Sequence, residues 1–69
     1  MAKHPNTVSL LQFFEYAHLP EHLQPISAPC AQLAEQMSDR LDGPELTAGL
    51  RKLLEAKDCF VRAALPPRD

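Results

Sequence analysis

Residues 46–65, LTAGLRKLLEAKDCFVRAAL, are the longest part of this chain with an uninterrupted helical period, and the rest of the fold has to accommodate them. At about 100° per residue, Leu46, Leu50, Leu53, Phe60 and Ala64 fall on one side of a helix, and Arg51, Glu55, Asp58 and Arg62 form a stripe on the other. Gly49, Ala56 and Ala63 widen the apolar side one way, and Leu54, Val61 and Leu65 widen it the other. The arc then covers roughly 200°, whereas facing a single core needs only a little over about 100°. Such a helix is expected to touch more than one neighbour. Lys57 stands near the centre of that arc and requires an explanation.

A chain of 69 residues that is 45% hydrophobic, with three Phe, one Tyr and no Trp, reads as one domain over residues 1–69 with a modest core. At this size a core rarely supplies more than about 3 to 5 kcal/mol, so help from partner subunits, metals or disulfides is common. The net charge of −2 argues against general binding of DNA, RNA or anionic membranes and leaves room only for discrete anion pockets. Cys30 and Cys59 fall on different expected helices and read as free thiols of a reducing cytoplasm. No signal-peptide pattern or apolar run of membrane-spanning length is present, so the expectation is a soluble, cytoplasmic protein.

Residues 1–6 are polar and contain Pro5, which reads as a loose start, with Asn6 or Thr7 capping a short helix. Leu10, Leu11, Phe13, Phe14 and Ala17 make the next segment too apolar to remain solvated, so it must dock. Pro20 suits the first turn of a second helix, in which Leu23, Ile26, Cys30, Leu33, Met37 and Leu41 form a seam with Ala34 beside it. Pro25 and Pro29 interrupt that helix, so a bend or a late start is expected, and the seam that persists across both favours a kinked helix over a loop. Asp42, Gly43 and Pro44 then end one helix and begin the next. Pro66 stops the last helix, leaving residues 66–69 as a tail.

The expected fold is therefore all-α: an antiparallel two-helix hairpin with a short N-terminal helical segment. The wide arc of residues 46–65 exceeds what the narrow seam can cover, leaving Leu54, Val61 and the Phe13/Phe14 pair over. Exposed apolar patches of this kind mark interfaces, so a symmetric homo-oligomer is expected.

Catalytic patterns are missing: there is no Gly-rich phosphate loop, HExxH, CxxC or nucleophile with an evident base. An enzyme is not expected, nor a cofactor. His18 and His22 are four apart, but Pro20 lies between them and no third ligand is evident, so no metal site is expected. Lys57 has two readings. Its stem packs on the apolar face while its ammonium reaches water or a carboxylate on a neighbouring helix, or the ammonium meets an anion bound between helices. Arg51 with Glu55 and Asp58 with Arg62 read as surface pairs at i, i+4.

Three strings, FFEYAHLP at residues 13–20, AQLAEQM at 31–37 and ELTAGLRKLLEAKDCFVRAAL at 45–65, together resemble the small phage anti-CBASS sponge proteins. The resemblance implies a helical hairpin assembled into compact oligomers, up to hexamers, in the host bacterial cytoplasm. It implies binding of cyclic di- or trinucleotides between subunits without cleavage, which blocks bacterial anti-phage signalling. By that resemblance Tyr16 stands at the position of the stacking aromatic, and Lys57, Arg51, Arg62 and His18 are candidate ligand contacts. Residues 19–41 contain no lysine, unlike the first long helix of the sponges, and only Arg40 near their end. The alternative expectation is a small homo-oligomeric protein–protein interaction module of phage origin with no small-molecule ligand.

Overall fold

The computed structural model describes residues 3–66; the regular structure among these is helical, with no strand. Helix α1 spans Pro5–Leu11 and runs into a 3-10 turn at Gln12–Phe14; α2 spans Gln24–Arg40 and α3 spans Pro44–Ala63. Residues 67–69, which belong to the expected tail, and residues 1 and 2 of the expected loose start lie outside the described residues.

Helix α1 begins earlier than the expected cap at Asn6 or Thr7. His4 Nδ1 accepts the Asn6 N–H at 3.1 Å and Pro5 occupies the first helical position, where its missing N–H costs nothing. Lys3 is tied down as well. Its ammonium donates to Asp39 Oδ1 at 2.9 Å and lies 3.8 Å from Glu35 Oε2, both on α2. The hydrogen bond to Asp39, and then that carboxylate's charge, raise the Lys3 pKa above its ordinary value.

The second helix starts at Gln24, later than the expected Pro20. Backbone N–H groups of Leu23 and Gln24 close a turn on the Pro20 carbonyl at 2.9 and 3.3 Å. Gln24 Nε2 donates to the Leu19 and Ala17 carbonyls at 2.9 and 3.3 Å, which holds the incoming chain. Starting there places Pro25 in the first turn, where it removes no intrahelical bond, and leaves only Pro29 inside the helix. At the other end, Gly43 takes φ +93° and ψ 179°, a backbone conformation that side-chain-bearing residues rarely adopt, and α3 follows at once with Pro44.

The seam of α2 is rotated from the expected one. Leu23, Ser27, Cys30, Ala34 and Ser38 are buried, while Leu33 and Leu41 are 43% and 55% exposed. Helix α2 packs against both α3 and the N-terminal segment, and small side chains at 27, 34 and 38 let two neighbours approach it closely. The core forms where they meet: Phe14, Cys30, Ala34, Leu46 and Leu50, with Leu10, Leu11, Leu53 and Leu54 packed around it. Phe14 and Leu54, expected to be left over, are thus accommodated within one chain; Phe13 is not, at 57% exposed.

Two buried hydroxyls on α2 differ in one respect. Ser38 Oγ donates to the Ala34 carbonyl at 2.6 Å, whereas Ser27 Oγ is fully buried with no partner among the described residues. An unsatisfied buried polar group costs about 1 to 3 kcal/mol. Ser27→Ala is therefore expected to stabilise the fold by about 1 kcal/mol, with Ser38→Ala neutral or destabilising. Urea titration checks this, and a Ser27→Ala protein less stable than wild type would refute it.

Candidate functional site

Each side of the molecule presents a different chemistry. Tyr16, half-buried, and His18 lie at the end of the N-terminal segment and line a hollow of about 650 Å³ with Phe14, Glu15, Ala31 and Glu35. The tyrosine ring supplies a stacking face. Its charged neighbours are carboxylates, Glu15 and Glu35, and neither Lys nor Arg lines this hollow. On its own it offers a phosphate no Lys or Arg side chain.

Arg51 lies elsewhere, in a hollow of about 640 Å³ where the start of α1 meets the first half of α3. His4, Asn6, Thr47, Lys52 and Glu55 share that wall. Since His4 Nδ1 accepts the Asn6 N–H, its remaining nitrogen, Nε2, carries the proton when the ring is neutral and is a donor. Arg51 and Lys52 against Glu55 give this hollow a net positive wall, and the expected Arg51–Glu55 ion pair does not form among the described residues.

Lys57 lines neither hollow. Its side chain is 13% exposed and its Nζ lies 3.0 Å from Asp58 Oδ1. The ammonium thus finds a carboxylate on its own helix, not on a neighbouring one. Asp58 is consequently not the partner of Arg62, whose Nη2 donates to Cys59 Sγ at 3.4 Å. Within one chain the five candidate residues are therefore spread: Tyr16 with His18, Arg51 apart from them, Lys57 and Arg62 apart again. Cys30 and Cys59 are free thiols, the first buried and the second exposed. Among the described residues no three His, Cys, Asp or Glu converge into a metal-sized cluster, and no helix is long and apolar enough to cross a membrane.

The third surface is apolar, and it lies away from Leu54, Val61 and the Phe13/Phe14 pair, where an exposed apolar patch was expected. The N-terminal segment covers one side of the α2–α3 pair; the other side is an open groove of about 380 Å³ lined by Leu33, Met37, Leu41, Leu46, Gly49 and Leu53, with Asp42 and Glu45 at one end. Further along the same pair, Phe60 is 54% exposed beside Pro25 and Ile26. The signal for this groove is in the sequence: Leu33, Met37 and Leu41 recur at a spacing of four, as on a helix face. Periodicity alone does not say which of two adjacent stripes, the large residues or the small ones, turns inward. Comparison of the chain with protein-family models, with curated proteins and with solved structures finds no match.

Proposed function

We propose that this chain is a non-catalytic helical module, an antiparallel hairpin of α2 and α3 braced on one side by its N-terminal segment, that works as a symmetric homo-oligomer. The open apolar groove carries this reading. Leu33, Leu41 and Phe60 are about half exposed on one side of a very small domain, and covering each contributes on the order of 1 kcal/mol. A chain this size has little stability to spare, so closing the groove with another subunit supplies what a single core lacks. Light scattering tests it: the expected result is a species heavier than one chain at micromolar concentration, retaining helical circular dichroism.

The second reading is sequestration of a cyclic di- or trinucleotide between subunits. It is supported by one observation, the pairing of Tyr16 and His18 in one solvent-open hollow. Because Glu15 and Glu35 share that hollow, cations for the phosphates come from a neighbouring subunit, for which the Arg51 and Lys52 wall is best suited. Lys57 reaches a ligand only by releasing Asp58. A thermal-shift panel of cyclic di- and trinucleotides, with mass spectrometry of molecules released on heating, is expected to find a stabilising ligand. Tyr16→Ala then weakens it at least about tenfold, or 1.4 kcal/mol, as loss of one stacked base predicts. No shift with any cyclic nucleotide would overturn the ligand reading and leave the self-associating module standing.

A further inference from the structure

The groove contains a feature that packing within the chain does not account for. Gly49 sits in the second turn of α3, on the groove wall, and a Cβ built there would meet nothing within 4 Å. No neighbour inside the chain requires a glycine, and glycine is the poorest helix former after proline. A side-chain-free position on an exposed helix face serves the close approach of another backbone. Glu45 lies four residues before Gly49 on the groove wall, and Lys52, three residues after it, lies beyond the groove lining, on the wall of the Arg51 hollow. These two charges are one heptad apart, so they stand on the same edge of α3, offset by only about 20°.

A single helix edge carrying a negative and a positive charge on either side of a glycine is self-complementary under a two-fold axis. Reversing the direction of a second α3 and crossing it at Gly49 sets Glu45 of each copy against Lys52 of the other. The same operation sets Leu46 near the Leu53 of the second copy, with Leu33, Met37 and Leu41 of both α2 helices closing over the sides. A parallel, in-register arrangement would oppose Glu45 to Glu45 and Lys52 to Lys52, which disfavours it. We infer that the occupant of the groove is a second copy of this chain, its α3 crossing antiparallel at Gly49 with reciprocal Glu45–Lys52 pairs. This rests on the self-association reading and adds to it the contact face and the direction.

The test is a charge-swap cycle read by sedimentation equilibrium at low salt, with circular dichroism on each variant. Glu45→Lys and Lys52→Glu each place like charges together twice per dimer, and each is expected to weaken self-association about tenfold. The double variant Glu45→Lys/Lys52→Glu restores pairing to within about threefold of wild type. Gly49→Leu, facing open space in the single chain, retains helical content and loses the dimer. If wild type self-associates but the single reversals and Gly49→Leu leave it unchanged, the antiparallel Gly49 crossing is wrong while self-association stands. If wild type is monomeric throughout, both are wrong.

Discussion

Phe14→Ala is expected to leave the chain largely unfolded at 25 °C. Phe14 is only 2% exposed and is the largest of the fully buried side chains, filling the space between the N-terminal segment and the two long helices. Truncating a buried Phe to Ala costs about 3 to 5 kcal/mol, the same size as the whole stability available to a domain of this length. Its neighbour provides the control. Phe13 is 57% exposed, and Phe13→Ala is expected to change stability by no more than about 0.5 kcal/mol. Far-ultraviolet circular dichroism against temperature distinguishes the two. A cooperative melt of Phe14→Ala matching wild type would mean that the N-terminal segment does not brace the helices.

The second large effect is at Leu50, where α3 enters the core at 2% exposure. Leu50→Ala is expected to cost about 2 to 5 kcal/mol, because Ala34 opposite is too small to refill the space and the cavity remains. Leu33→Ala removes the same atoms from a side chain that is 43% exposed in the single chain. In the monomer it should cost well under half as much, and it should lower the concentration-dependent part of the stability instead. Urea unfolding at several protein concentrations separates the contributions. Equal, concentration-independent losses at both positions would contradict the assignment of Leu33 to an open face.

These two leucines show how far the sequence could be read. The helical character of residues 46–63, the break at Gly43 and the docking of the segment around Phe14 are visible from periodicity, a glycine where φ must be positive, and an excess of apolar side chains, although the helix ends two residues before the expected Leu65. The rotation of α2 is not, because its large stripe and its small stripe have the same period. Only the competition of two neighbours for one helix decides in favour of Ser27, Ala34 and Ser38. The same limit applied to the cations. Lys57 stood out because the apolar arc surrounds it, yet a carboxylate one residue away holds its ammonium. Lys52 did not stand out, because a lysine on an exposed stripe has no anomaly until Gly49 and Glu45 are seen beside it. His4 carried a readable signal, a polar residue directly before a proline, which marks a helix cap.

The measurement that bears most directly on the open groove is sedimentation velocity of the wild-type protein from about 1 to 100 μM. Covering Leu33, Leu41 and Phe60 predicts a sedimenting mass that rises from the 7.7 kDa of one chain to twice that value or a higher even multiple across the series. A single 7.7 kDa species at every concentration would contradict it.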